Sequence, residues 1–177
     1  SKRAVKASAG LPRFEALLGL IYAGCYLKNM EKVIEPATVA LANECHYLIN
    51  GEEIVSSRNP QEILNIFTIL IWAKLALKDS NWNPSVTHLE TIEKLAPILR
   101  DLRHSDAGLP RFHGSCGDVD GQLDKALSNA ESREISSHET SVGFVKLSKS
   151  RTSVIIDAEP PPLGKKALKA DASTLDF

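Results

Sequence analysis

The sequence predicts an α+β protein in which helices come first and strands second. In residues 1–130, apolar side chains recur at helical spacing in several runs separated by short polar connections. The composition turns polar at 131–140, and two runs rich in β-branched residues follow. Helices segregated from strands are typical of an α+β fold or of two separate domains. We therefore predict a helical part at 1–130, a linker at 131–140 and a β part at 141–177.

The first two predicted helices are antiparallel neighbours joined by a short connection. The first is Leu11–Lys28, with Pro12 in its first turn, where the missing N–H removes no helical hydrogen bond. The second runs from about Met30 to Ile49 and stops at Asn50-Gly51. Pro36 either lies in the first turn of the second helix or kinks that helix.

Two further long helices and one short helix complete the helical part. The third helix begins at Asn59-Pro60, with Asn as its cap and Pro at its first helical position. It is apolar on nearly every face, so we expect it to pack on several sides. The fourth helix is Pro84–Arg103, with Pro97 as an expected bend. A glycine-rich loop at 104–117 precedes a short amphipathic helix at 119–130.

The β part is predicted to open with a hairpin. Val142–Ser148 and Thr152–Ala158 are rich in strand-forming residues and are separated by only three residues. The run Pro160–Pro162 ends the hairpin, and Ala172–Phe177 alternates polar and apolar residues as a third strand does. That strand would have no partner after it, and the sequence has no initiator Met. We therefore expect this sequence to be a segment of a longer protein.

Composition limits the classes of partner. Lys and Arg number 21 and Asp and Glu number 22, and the resulting net charge of −1 argues against nucleic acid. An apolar share of 43% is typical of a globular protein and not of a disordered one. The longest apolar runs are too short or too interrupted by polar residues to span a membrane, and no signal peptide is evident. Three cysteines are too few and too scattered for a disulfide framework.

One hexapeptide occurs twice in the sequence. Ala-Gly-Leu-Pro-Arg-Phe lies at 9–14 and again at 107–112, and the residues after the two copies differ. Two interpretations stay open from the sequence. The copies mark similar turns between helices, or turn-forming residues coincide by chance.

The densest polar cluster follows the fourth predicted helix, at residues 100–118. Three Arg, two His and three Asp lie there among three glycines. Arg forms paired hydrogen bonds with a carboxylate or sulfate, and His transfers protons near neutral pH. An acidic sugar polymer is a substrate that would use both. The alternative is a solvated loop with ordinary ion pairs.

Other candidate groups have weaker sequence support. No metal-binding spacing and no Gly-x-Ser-x-Gly motif occurs. For Cys45-His46 we prefer an ordinary helix histidine to a catalytic pair. His88 and His138 are expected to be exposed.

Arg58 has two possible roles at the start of the third helix. Its guanidinium would lie where helix N-termini bind anions. The interpretation that we prefer from the residues alone is that Asn59 merely caps the helix.

Several segments, taken in order, resemble the heparinase II/III-like family. The helical segments are Ala9–Ala23, Ser57–Pro60 and Arg103–Gly114; the β segments are Gly143–Leu147, Arg151–Ala158, Pro160–Pro162 and Ala172–Phe177. No single motif is diagnostic, but their order and spacing match over most of the chain. The resemblance implies antiparallel helical hairpins of an incomplete (α/α) toroid, followed by the first antiparallel strands of a β-sandwich.

The resemblance also implies a chemistry, which is β-elimination on a uronic-acid-containing glycan. On this hypothesis His104 and His113 are the catalytic candidates, and Arg58, Arg103 and Arg111 bind the acidic substrate. We expect no cofactor, and Asp171 stands where the family often has a metal-binding His. The family implies a cell-envelope or periplasmic location. We expect the segment alone to be inactive because the Asn-bearing part of the toroid lies upstream.

Two alternatives from other functional classes stay open. One is a non-catalytic glycan-binding or cell-envelope structural module. The other is a plain helical interaction module, which would not need residues 142–177 to form a hairpin docked on the helices.

Overall fold

Five α-helices and a three-stranded antiparallel sheet make up the described part of the chain, which is an α+β protein as predicted. The structure is a computed structural model, and its described residues are 7–50, 58–104, 106, 108–116, 121–130, 143–149, 152–158, 160 and 175–176. The helices are α1 Leu11–Tyr26, α2 Ile34–Asn50, α3 Pro60–Asp79, α4 Val86–Asp101 and α5 Gln122–Ala130. The strands are β1 Phe144–Lys149, β2 Thr152–Asp157 and β3 Leu175–Asp176.

The connection between α1 and α2 is longer than predicted. Helix α1 ends at Tyr26, two residues early, because the next residue, Leu27, is extended. A 3-10 turn at Glu31–Val33 then precedes α2, which begins at Ile34. Pro36 therefore lies in the first turn of α2, where its missing N–H removes no helical hydrogen bond.

The predicted start of α3 is confirmed and that of α4 is wrong. The side chain of Asn59 accepts hydrogen bonds from the backbone N–H groups of Gln61 and Glu62, at 2.9 and 3.1 Å. Helix α4 was expected from Pro84, but Ser85 is its cap and accepts a hydrogen bond from the His88 N–H. Helical geometry therefore begins only after the cap residue, and α4 continues through Pro97 to Asp101.

The core of the helical part forms around α3. Helix α1 packs against α2 and α3, α4 contacts α2 and α3, and α5 covers α3 and α4. Fully buried side chains from these helices include Phe14, Ile21, Leu41, Leu64, Phe67, Leu70, Leu77, Leu95 and Leu99. Gly24 lets α1 approach α2 closely, because a Cβ at this position would lie 2.4 Å from Ile34. The expectation that α3 packs on several sides is confirmed.

Helix α3 is also the one described helix that is long and apolar enough to cross a membrane by length and composition. The 18-residue window that meets this test is 67% buried inside the protein. A core helix and a membrane-spanning helix share these sequence properties, and burial against α1, α4 and α5 is what this structure shows for α3.

The predicted hairpin is confirmed. Strands β1 and β2 pair antiparallel with Phe144 opposite Asp157 and Lys149 opposite Thr152, and β3 pairs with the other edge of β2. Ile155 and Asp157 are buried in alternation along β2, so one face of the strand points inward. The predicted linker at 131–140 lies outside the described residues. The hairpin contacts the helical part.

The two copies of the repeated hexapeptide do not form the same turn. The first copy leads directly into α1, which begins at Leu11. Among the described residues of the second copy, 108–112, the backbone is irregular. Phe14 and Phe112, the last residues of the two copies, are both 1% exposed. The copies therefore share a buried Phe and not a backbone conformation.

Candidate functional site

Three charged or titratable side chains meet where the helical part contacts the sheet. We call Arg58, His113 and Asp157 the junction triad. An Arg58 Nη2 donates to Asp157 Oδ2 at 3.0 Å, and His113 Nε2 lies 2.8 Å from the same oxygen. Their side chains are only 0–2% exposed. The triad thus joins the start of α3, the loop after α4 and the end of β2.

Asn59 ties two members of the triad together. Besides capping α3, its side-chain Nδ2 donates to the backbone carbonyl of His113 at 3.1 Å. Arg58 and His113 both have left-handed backbone, with φ of 40° and 52°, and Gly114 follows at 80°. Left-handed conformations of non-glycine residues cost roughly 1–3 kcal/mol each and persist only where surrounding contacts impose them. The polar contacts of the triad and of Asn59 are such contacts.

The buried charges of the triad are stable only while all three side chains are present. A carboxylate taken out of water is stable only when paired and hydrogen-bonded. Here Asp157 meets the permanently charged guanidinium of Arg58, and His113 adds an ionic contact when its ring is protonated. Removing one partner of a buried ion pair costs about 3–5 kcal/mol because the other charge is left without compensation. The triad is therefore a strong positional constraint between the helices and the sheet.

Arg103 and His104 lie at a second contact between α4 and the sheet. Arg103 pairs with Asp124 of α5, with an Nη2 to Oδ1 distance of 2.9 Å, and both side chains are substantially exposed. The half-buried His104 places Nδ1 3.4 Å from the Ser153 hydroxyl of β2. The ammonium of Lys146 in β1 donates to the Arg103 carbonyl, and burial lowers the pKa of Lys146. His104 thus sits at the edge of the junction and not in its interior.

The loop that carries Arg111 divides its side chains between solvent and core. Arg111 is exposed. Phe112 is buried and stacks on Phe144 of β1, with ring centroids 5.3 Å apart and an interplanar angle of 13°. His113 follows it into the junction triad. Consecutive residues therefore anchor this loop to the sheet while leaving Arg111 at the surface.

The five predicted site residues do not form one cluster. Arg58 and His113 are joined through Asp157, whereas Arg103 is paired with α5 and Arg111 is exposed. Asp157 was not singled out as a site residue. The sequence could have indicated Asp157, because it is a lone acidic residue at the inward-facing end of an apolar strand, where a charge needs a partner.

Two other histidines differ in their environments. His88 was expected to be exposed, and this is wrong: it is 0% exposed, with Nε2 2.8 Å from the Leu70 carbonyl, and burial lowers its pKa.

His46 lies on the exposed side of α2, whereas the neighbouring Cys45 is buried, and this burial raises the pKa of the Cys45 thiol to about 12. A thiol with that pKa is not a nucleophile near neutral pH. The preferred interpretation of Cys45-His46 as ordinary helix residues therefore holds. His138 lies outside the described residues.

Among the described residues, no group of His, Cys, Asp and Glu has the arrangement of a metal site. Asp171, the position considered for a metal ligand, lies outside them. Comparison of the chain with known protein families, with curated proteins and with solved structures finds no match.

Proposed function

We propose that this chain is part of a heparinase II/III-like polysaccharide lyase that cleaves a uronic-acid-containing glycan by β-elimination. The observation that carries the proposal is the junction itself. Segments that resemble the family in sequence, around Arg58, at 103–114 and at 152–158, are brought together in space. In this proposal the helices are the end of an (α/α) toroid and the sheet is the start of a β-sandwich.

The reaction sets clear demands on side chains. A base removes the proton at C5 of the uronate, the C4–O bond breaks as the C4–C5 double bond forms, and the oxygen of the leaving sugar takes up a proton from an acid or from water. Negative charge develops on the carboxylate during this step, so a cationic or hydrogen-bonding group must stabilise it. Imidazole and guanidinium groups at one cleft meet both demands.

The candidate residues differ in how accessible they are to a polymeric substrate. Arg111 is exposed, so it is best placed to contact a polymer directly, and the half-buried His104 is the more accessible of the two candidate histidines. Arg58 and His113 are 2% and 3% exposed, and they act in this proposal as positioning residues that hold the loop of Arg111 against the sheet. Arg103 would bind substrate next to His104, in exchange for its exposed pair with Asp124.

The proposed partner is an acidic polysaccharide, and the location that the family resemblance implies is the cell envelope or periplasm. Because the net charge of the chain is −1, an acidic polysaccharide would bind only where cationic side chains are locally concentrated. Arg103, Arg111 and Lys146 provide cations near the junction.

The lyase proposal is tested on the full-length gene product with heparan sulfate, alginate and other uronate polymers. The C4–C5 double bond of the product absorbs in the ultraviolet, so turnover is followed directly. His104→Ala is expected to lower turnover at least a hundredfold if its imidazole moves the proton, in line with general acid–base catalysis contributing about 10²–10⁴-fold. His46→Ala, on the exposed side of α2, is the control and should leave the rate unchanged.

No increase in absorbance with any uronate polymer would contradict the lyase proposal. A normal rate in His104→Ala would contradict only the assignment of that residue.

The burial of Arg58 and His113 favours a second candidate, a non-catalytic glycan-binding or cell-envelope structural module. In that case the two side chains serve only to join the helices to the sheet. Glycan binding without product formation, unaffected by His113→Ala, would support this second function.

A further inference from the structure

A groove between α3 and α5 lies apart from the junction. Its volume is about 340 Å³, which is near the lower end of the roughly 300–1,000 Å³ range of small-molecule sites. It reaches Trp72, thirteen residues along α3 from the Asn59 cap, or about 20 Å at 1.5 Å per residue. The groove is therefore a separate surface from the junction triad.

Part of the groove lining combines an aromatic ring with apolar side chains. Trp72 is 47% exposed and lines the groove together with Ile71 of α3 and Ala126 of α5. An indole face presents negative charge density to positively polarised C–H groups and buries apolar area against them. The apolar face of a pyranose ring offers such C–H groups.

The groove also has polar lining residues. Gln122, Lys125 and Asn129 of α5 line it. Gln122 and Gln61 both donate to Asn65 Oδ1, at 3.4 and 3.2 Å, so a row of amides continues from the groove along α3. Side-chain amides both donate and accept hydrogen bonds, as sugar hydroxyl groups do.

The charge of the groove selects among sugars. Lys125 is the one charged residue among the described residues that line it. An ammonium group at the rim favours a ligand that carries a carboxylate over a neutral one. We propose that the groove between α3 and α5 binds a single pyranose that carries a carboxylate, with its ring on Trp72 and its carboxylate towards Lys125.

The choice of a sugar ligand rests in part on the proposed function, but its test does not depend on turnover. The 177-residue chain is titrated with methyl glucuronide while the indole N–H signals of Trp72 and Trp82 are followed by NMR. Trp82 lies in the connection between α3 and α4, outside the groove lining, and is an internal control. We expect a saturable shift of the Trp72 signal and none of the Trp82 signal.

Matched variants separate the two parts of the site. Trp72→Ala should weaken binding about tenfold, the equivalent of one stacking contact. Trp82→Ala should leave binding unchanged, and Trp72→Phe should retain part of it. Lys125→Gln should remove the preference for methyl glucuronide over methyl glucoside, whereas Lys94→Gln on the exposed side of α4 should preserve that preference.

Three results would overturn the inference. The first is that the Trp72 signal does not shift with methyl glucuronide. The second is that methyl glucoside shifts it equally in the unmodified chain. The third is that the groove binds an apolar dye but neither glycoside. Circular dichroism of each variant checks that the fold is intact. Saturable uronate binding in a protein without lyase activity would sustain this inference and contradict the proposed function, so the two failures are distinguishable.

Discussion

The helical core and the junction are both buried, but different interactions hold them. Around α3, side chains such as Leu64, Phe67 and Leu70 exclude water through apolar contact, which has no directional requirement. At the junction a guanidinium, a carboxylate and an imidazole are buried with as little exposure. Those groups are stable there only because each has its partner. Apolar packing in the helices can therefore tolerate gradual change, whereas the junction triad loses its stability when any one of its partners is removed.

The largest effect that separates the two regions is expected from Asp157→Ala. It leaves the Arg58 guanidinium buried without its carboxylate, which should reduce the free energy of unfolding by about 3–5 kcal/mol. We expect the loss to centre on the sheet. Amide hydrogen exchange should accelerate in 144–157 well before it does in α3.

Two control variants sharpen this result. Asp124→Ala removes the exposed partner of Arg103 and should cost no more than about 1 kcal/mol by denaturant titration. Leu70→Ala, in the helical core, should instead accelerate exchange in the helices. Equal losses from Asp157→Ala and Asp124→Ala would contradict the view that the junction depends on its buried charges.

An intermediate effect is expected from Asn59→Ala, because Asn59 belongs to both regions. The substitution removes the cap of α3, worth about 0.5–2 kcal/mol, and the hydrogen bond to the His113 carbonyl. Ser85→Ala removes the cap of α4, in which the hydroxyl accepts one hydrogen bond, and is the comparison. We expect Asn59→Ala to cost about 1–3 kcal/mol more than Ser85→Ala, because it removes one further cap bond and the bond to His113, each worth about 0.5–1.5 kcal/mol. Identical costs in thermal or urea unfolding would mean that neither of these two bonds contributes.

The smallest expected effect on the free energy of unfolding comes from the titration of His88, which lies in the helical core. Burial lowers its pKa below the ordinary value of 6.5, so the unfolded chain binds more protons in mild acid. The stability that neutral His88 provides is therefore complete above about pH 6.5 and is lost as the pH falls through the lower pKa of the folded state. His88→Gln should flatten the fall in unfolding free energy as the pH decreases below about 6.5.

The exposed His46 provides the comparison for that pH profile. His46→Gln should retain the steepness of the unmodified chain, measured by urea unfolding at each pH. A His88→Gln profile as steep as that of the unmodified chain would contradict the role of His88.

Local sequence signals predicted most of the fold. Apolar spacing located the helices, and Asn59-Pro60 located the start of α3 because a cap and its helix are adjacent in the chain. The start of α4 was misplaced because Pro84 and Ser85 both suit a helix N-terminus, and the serine hydroxyl bond decided between them. His88 was predicted to be exposed although it lies four, seven and eleven residues before Ile92, Leu95 and Leu99, a spacing that indicates the buried face.

The candidate site was less predictable than the fold. From their residue types and the family resemblance, the sequence indicated Arg58, Arg103, His104, Arg111 and His113 as candidates only. It could not show that two of them are buried, because burial depends on what packs over a side chain. It also did not identify Asp157, whose role follows from where β2 ends relative to α3.

The sequence by itself determined the order of the helices and strands, the cap of α3 and the pairing of the hairpin. These depend on period and on residues close together in the chain. Only the tertiary structure decided that Arg58 meets Asp157, 99 residues away, and that both meet His113. A buried charge needs a partner wherever in the chain that partner lies, and local pattern contains no information about a contact at that separation.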